Sequence, residues 1–457
     1  MIEFVRRALC GFTLLLPLIS ASYAASEPAT SILLENVRVF DGKSPRVSPP
    51  MNVLIVGPTI KSISATPIAN LQSETTRIEG GGRVLMPGLI DAHWHSMFLA
   101  TTPVVGLTSD VGYLNLLAAA QAKATLLRGF TTVRDMGGAA FSLKQAIDEG
   151  VVPGPRIYPS GAMITVTSGH GDFRQMYELP RTIGGPPTRM EQIGASAIAD
   201  TPDEVRIRVR EQLMQGASQI KLTAGGGVSS PHSPLDVSTF TLPELRAAVE
   251  AADNWGTYVA VHAYTPRAIR TALEAGVKCI EHGHLVDEAT VKLMAEKSVW
   301  WSLQPFSDDP GSNRFPEGSL QAAKKKQVAE GTDRAYTLAK KYKIKTAWGS
   351  DILFSPQLAQ GQNAMLTRLV RWYTPAQTLI MATGTNAQLL ALSGNRNPYP
   401  GKLGVVEEGA HADLLLVDGN PVENIHLLDD PAKNLVVIIK NGAIAKSSLT
   451  PANRTSP

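Results

Sequence analysis

The hydrophobic pattern changes character twice along the chain. Residues 32–40 (ILLENVRVF) and 52–56 alternate apolar and polar positions at the β period, which predicts a small sheet. In the middle of the chain, short apolar runs alternate with helical stretches. The β candidates there are 84–95, 131–134, 156–159, 219–223, 258–263, 279–282, 300–303 and 345–348. The helical stretches carry readable starts. Thr201 and Thr241 are each followed three residues later by Glu, the pattern of a capping box. Thr265-Pro266 and Thr374-Pro375 set a proline just inside a threonine cap. Beyond residue 400 the β pattern returns at 413–417 and 435–440, followed by Asn441-Gly442, a hairpin signal.

Strands alternating with helices predict an α/β chain with a parallel sheet, closed most simply as a (β/α)8 TIM barrel. An open doubly wound sheet is the alternative. The two β-rich ends are expected to meet in one satellite domain, since chain termini often lie close together. Three connections are long, 165–200, 224–240 and 305–331. Each follows a strand, and that is the face on which such barrels carry their chemistry.

The first residues read as an address. Arg6 and Arg7 precede a short apolar run, and Ser22 and Ala24 provide the small-residue exit of a secretory signal peptide. The expected product is secreted or periplasmic, with no membrane span, and keeps Cys279 as its only cysteine. A content of 44% hydrophobic and 18% charged residues excludes a disordered chain. Lys+Arg of 43 against Asp+Glu of 40 gives no reason to expect nucleic acid as a partner. The expected division is 1–24 as the signal peptide, 25–84 and 396–457 as the two parts of the β domain, and 85–395 as the barrel.

Chemistry gathers at the predicted strand ends. His93 and His95 alternate along one strand and so face the same way. Lys221 lies near the end of the fourth candidate strand, and His262, His282 and Asp351 end the fifth, sixth and eighth. Each alone has a plain structural reading: a solvated histidine pair, a snorkelling lysine, hydrogen-bonded core histidines, a helix-capping aspartate. In a closed barrel they converge on one mouth. Four imidazoles and one carboxylate can hold two divalent cations if a bridging anion is added. An ammonium at Lys221 would be repelled by them. Burial lowers a lysine pKa and exposes the free amine that takes up carbon dioxide, giving an N6-carboxylysine with two bridging oxygens.

These residues, with Met86-Pro87-Gly88-Leu89-Ile90-Asp91-Ala92-His93-Trp94-His95 and a later Gly401-Lys402-Leu403-Gly404, Glu407, Gly409, Ala412 and Asp413-Leu414, resemble the amidohydrolase superfamily from about residue 32 to 446. The resemblance implies a (β/α)8 barrel with a composite β-sandwich and a two-metal hydrolase, zinc being the expected metal. His93, His95 and Asp351 would hold one metal, His262 and His282 the other, with carboxylated Lys221 bridging both. Within the superfamily, Thr167-Ser168-Gly169-His170-Gly171-Asp172 and His262-Ala263-Tyr264-Thr265 resemble the group of Xaa-Pro dipeptidases and ochratoxinase. That group implies substrate contacts from His170 and Tyr264. It also implies hydrolysis of a small dipeptide or N-acyl amino acid, N-acyl-phenylalanine compounds of the ochratoxin A type included, by a metal-bridging hydroxide, with Asp351 carrying the proton. Rings of subunits, a homo-oligomer, are a further expectation. A cyclic-amide or lactam hydrolase, or a deaminase, on the same scaffold is the alternative. A serine or cysteine hydrolase is disfavoured, because no Gly-x-Ser-x-Gly elbow occurs and Cys279 lies in an apolar strand. Around these positions, Asp91 is expected either to orient His93 or to close a strand-end hydrogen bond. His284 is a candidate for the same mouth. His232, His411 and His426 read as loop or sandwich residues, and Gly225-Gly226-Gly227 as a close backbone approach near Lys221.

Overall fold

Both ends of the described residues enter one eight-stranded sheet. A computed structural model describes residues 30–178, 185–230, 232–307 and 315–449. The leader reading, with Arg6, Arg7, Cys10, Ser22 and Ala24, lies outside the described residues. Ser31–Phe40 pairs antiparallel with Val47–Val56, which pairs in turn with Thr59–Ser64. On its other side Ser31–Phe40 runs parallel to Val84–Pro87. Val84–Pro87 then pairs antiparallel with Leu414–Val417, and the sheet continues through Leu435–Lys440 and Ala443–Ser447. The alternation read in the sequence places Ile32, Leu34, Leu414, Leu416, Val437 and Ile439 in one buried cluster. Asn441 and Gly442 take φ of 54° and 73°, the paired positive values that a two-residue hairpin turn requires.

The expected strand 84–95 is two strands. It breaks at Gly88, leaving Val84–Pro87 in the sheet of the termini and starting a parallel set with Leu89–Trp94. The break needs glycine, because a Cβ there would lie 2.0 Å from Thr131 Oγ1. Leu89–Trp94, Phe130–Asp135 and Arg156–Pro159 form one parallel sheet. Ile220–Thr223, Val259–Ala263, Cys279–His282, Trp300–Leu303 and Thr346–Trp348 form a second, extended at its edge by Met163–Thr165 and Ser196–Ile198. Ser196–Ile198 falls in the connection read as a long loop, and Met163–Thr165 ends where that connection begins. At three residues each they are too short for periodicity to reveal.

Hydrogen bonds cross both seams between the parallel sheets. On one side Ser218 N donates to Pro159 O at 2.7 Å, and the Gln219 amide donates to Tyr158 O at 2.8 Å. On the other, Asp351 N donates to His93 O at 2.9 Å, while the Asn386 amide donates to Ile90 O at 2.7 Å and Trp348 O at 2.8 Å. The helices start where the threonines predicted: Thr201 accepts from Glu204 N and Thr374 from Gln377 N, whereas Thr265 precedes its helix without a side-chain cap bond. Among the described residues no helix is long and apolar enough to cross a membrane.

The sheet of the termini is joined to the parallel strands through a buried ion pair. Arg156 Nε donates to Asp413 Oδ2 at 2.7 Å, and the other oxygen of Asp413 accepts from Asn441 N at 2.7 Å. Removing one partner of such a pair strands the other charge. Asp413→Ala is therefore expected to cost about 3–5 kcal/mol, read as a lower urea midpoint. Arg156→Met combined with Asp413→Leu should recover most of that loss. A single variant with the wild-type midpoint would show that the pair contributes nothing to the joint.

Candidate metal centre

The strand-end residues singled out in the sequence meet in one space. His93 is the penultimate residue of the buried strand Leu89–Trp94 and His95 follows that strand, with ring centroids 5.4 Å apart. Asp351 lies three residues past Thr346–Trp348, with φ of 52°. This left-handed turn brings its Oδ1 to 3.3 Å from His93 Nε2 and 3.2 Å from His95 Nε2. The ligand atoms of His93, His95 and Asp351 all lie within 4.8 Å of one another. Lys221 Nζ is 3.4 Å from His93 Nε2. The rings of His262 and His282 sit 4.5 Å apart, and His282 is 4.9 Å from His93. Among the described residues, the set of three around Asp351 is the compact ligand group, and His262 and His282 stand beside it.

Each of the four imidazoles gives one nitrogen to an oxygen that can only accept. His93 Nδ1 meets Glu281 Oε2 at 2.7 Å, and His95 Nδ1 meets Gly137 O at 3.1 Å. His262 Nε2 meets Gly226 O at 2.8 Å, and His282 Nδ1 meets Gln304 Oε1 at 2.6 Å. An acceptor-only partner fixes the proton on that nitrogen and leaves a lone pair on the other. The free lone pairs are then on Nε2 of His93, His95 and His282 and on Nδ1 of His262. Desolvation, the largest cause, pushes the pKa values of His93, His262 and His282 well below the ordinary imidazole value, which keeps these rings neutral. It also pulls the Lys221 pKa down. Burial works to raise the Asp351 pKa, yet it lies below the ordinary carboxylate value, a shift that only positive charge at its oxygens produces. Two imidazole lone pairs and a carboxylate oxygen therefore face one another with no hydrogen between them. A cation is the group that turns this repulsive arrangement into a favourable one.

The residues that set this geometry were not singled out in the sequence. Glu281 accepts from Arg134 Nη2 at 2.6 Å on one oxygen and holds His93 on the other, and both charged residues are fully buried. Arg134 also donates to Ala92 O at 2.6 Å. The available signal was a charged residue inside each of two apolar strands, Thr-Val-Arg-Asp and Ile-Glu-His. Asp91 takes the second of its two expected roles. It accepts from His93 N at 3.1 Å, Ser350 N at 3.0 Å and the Gln362 amide at 2.9 Å, so it fixes backbone while Glu281 fixes the ring. Burial raises the Asp91 pKa to about 6.

A cavity of about 310 Å³ opens over the ligands, lined in part by Met163, Phe173, Val228 and Phe306. His170 and Tyr264 both line it. The His170 ring lies 4.3 Å from His262, and burial lowers its pKa to about 3. Tyr264 lies 5.0 Å from His262 and 5.3 Å from His282. His284 is buried behind this wall, 5.0 Å from the Phe306 ring, with Nε2 on Gln304 O at 2.9 Å. The glycine run makes a close approach, but to Pro234 and His170 rather than to Lys221. A Cβ on Gly226 would lie 1.6 Å from Pro234 O, and one on Gly227 would lie 2.1 Å from His170 Nδ1.

The sequence profile of the amidohydrolase family matches residues 84–446. The chain is 30% identical over 378 residues to ochratoxinase of Aspergillus niger, covering 79% of this chain and 76% of that protein. It is similar to the crystal structure of a prolidase complexed with N-methylphosphonate-L-proline, at 33% identity and a TM-score of 0.83, covering 92% of this chain and 100% of the other. It is also similar to a Xaa-Pro dipeptidase with bound methionine in its active site, at 28% identity and a TM-score of 0.77, covering 91% and 99%.

Because Glu281 fixes the tautomer and direction of His93, Glu281→Gln is expected to weaken divalent-metal binding about tenfold to a hundredfold, the usual range for partners of ligand histidines. Competition with a chromogenic chelator measures this. Wild-type affinity in a folded variant would show that His93 needs no carboxylate behind it.

Proposed function

This chain belongs to the amidohydrolase family and is a hydrolase of amide bonds, and on that premise we propose a binuclear-metal enzyme whose substrates are dipeptides or N-acyl amino acids. In this reading the two parallel sheets are one (β/α)8 barrel and the sheet of the termini belongs to a composite β-sandwich. His93, His95 and Asp351 would hold one divalent metal and His262 and His282 the other, with Lys221, as its carbamate, the residue that would serve both. The observation that carries the proposal is the convergence of the His93 and His95 lone pairs on the Asp351 carboxylate. Two such cations, zinc in this reading, would supply Lewis acidity there, for activating a water and polarising the scissile carbonyl.

The chain's own groups do the rest. Asp351, held ionised beside His93 and His95, accepts the proton of the attacking water and delivers it to the leaving nitrogen. His170 and Tyr264 face the leaving amino acid, whose carboxylate accepts hydrogen bonds from them. Charge-assisted bonds of that kind are about twice as strong as neutral ones. The lining of Phe173, Phe306, Met163 and Val228 suits an apolar side chain or acyl group and keeps bulk water from the reacting atoms. Export behind residues 1–24 and assembly as a homo-oligomer belong to the same reading.

Lys221→Ala is expected to abolish turnover and to leave fewer than two metals per chain by elemental analysis. Retained turnover would remove the carbamate from the scheme. Asp351→Asn should lower kcat by about 10²–10⁴-fold, the usual contribution of a general acid–base group, and lower metal content far less. A loss under about tenfold with full metal would assign the proton to another group. Methyl-esterifying the substrate carboxylate should lower kcat/KM by roughly tenfold or more, where about 1.4 kcal/mol corresponds to tenfold. His170→Ala and Tyr264→Phe should narrow that gap. Equal turnover of acid and ester, or turnover of cyclic imides alone, would point to the cyclic-amide branch of the superfamily.

A further inference from the structure

Lys324 is an unusual lysine. It lies on the helix Leu320–Glu330, is 5% exposed, and among the described residues has no carboxylate as a hydrogen-bond partner. Its Nζ donates to three backbone carbonyls, Gly227 O at 3.2 Å, Ser230 O at 3.0 Å and Ser233 O at 2.7 Å. A neutral amine has two N–H donors and an ammonium has three, so three acceptors call for the charged form. Burying an ammonium is costly unless its partners are well placed, and all three partners here come from one short stretch of chain.

The same stretch supports the candidate site. Gly226 O accepts from His262 Nε2 at 2.8 Å, and Gly227 packs against the His170 ring, where a Cβ would lie 2.1 Å from Nδ1. Ser230 Oγ is hydrogen-bonded to His170 Nδ1 at 2.8 Å and accepts from Gly171 N at 3.1 Å. Val228 lines the cavity, and so does Val328, one helical turn beyond Lys324. We infer that Lys324 is a positioning residue: its ammonium pins the Gly226–Ser230 backbone and thereby sets the directions of His262 and His170. The inference rests on the functional reading of those two histidines. The clamp itself rests only on the hydrogen bonds described.

The test compares wild type with Lys324→Met, which keeps the apolar stem and removes the charge. Hydrogen exchange at Gly171 and residues 225–230 is expected to rise tenfold or more, with other segments unchanged. Metal loss to a chelator and the fall in kcat/KM should each reach about tenfold to a hundredfold, as for other partners of ligand histidines. A second variant, Lys324→Ala, is assayed with added ethylammonium. Lys324 borders an outward cavity of about 420 Å³, which gives a small cation a route to the three carbonyls. Rescue of exchange protection and metal retention by ethylammonium, but not by tetramethylammonium, which lacks N–H donors, is the expected result. Unchanged exchange at Gly171 and 225–230 in Lys324→Met, or metal retention and kcat/KM within threefold of wild type, would overturn the inference. Failure of the two-metal reading would show instead in the wild-type protein, as absent metal, and the exchange comparison would then decide the clamp alone.

Discussion

Desolvation governs this structure. Four imidazoles, a lysine amine and a carboxylate are gathered where strands of two parallel sheets end, and five of the six residues are almost fully buried. Polar groups in such a place must each find a partner. The chain meets that requirement by giving every imidazole an acceptor on its outer nitrogen: a carboxylate, two backbone carbonyls and a side-chain amide. The other nitrogens are thereby left unprotonated, and those of His93 and His95 converge on Asp351. The stabilising contacts around the site and its capacity to bind a cation arise from the same hydrogen bonds.

Glu281 and Arg134 lie beneath this arrangement. Burial alone would raise the Glu281 pKa, but Arg134 and then Lys221 overcome it and hold the carboxylate ionised. An ionised Glu281 accepts from His93 and a protonated one would not do so reliably, so a guanidinium one shell away decides which His93 nitrogen carries the proton. Removing water from both charges makes the pair depend on geometry, and the short contacts to Glu281, Ala92 O and Tyr258 provide it. Cys279 belongs to the same network, donating to Glu281 at 3.1 Å, and burial pushes its thiol pKa well up. Its surroundings make it an inert core residue.

The backbone is shaped around the ligands too. His282 and Asp351 adopt φ of 73° and 52°, a region non-glycine residues seldom occupy. The Asp351 turn is held by its own N–H on His93 O and by Ser350 N on Asp91. Gly349 is pressed against His93, where a Cβ would lie 2.4 Å from His93 N. Ends of strands far apart in sequence are thus tied backbone to backbone, and ligand directions follow from that tie.

Much of this was legible in the sequence. The period-two runs gave both parts of the terminal sheet, the threonine caps gave helix starts, and polar residues closing apolar runs gave all six candidate ligands. Those features are local: a strand face, a cap or a strand end is fixed by a few neighbours and their spacing. What the sequence left open was the division at Gly88, the short strands Met163–Thr165 and Ser196–Ile198, and the choice between Asp91 and other partners for His93. Each depends on contacts between distant segments. Gly88 is a break because Thr131 lies over it, and Glu281 meets His93 across 188 positions of sequence because the fold brings strands of two different sheets face to face. Residue type and period determine which groups reach the ends of the strands. Only packing decides which atoms meet there, because hydrogen-bond direction and burial are properties of the assembled neighbours rather than of any one segment.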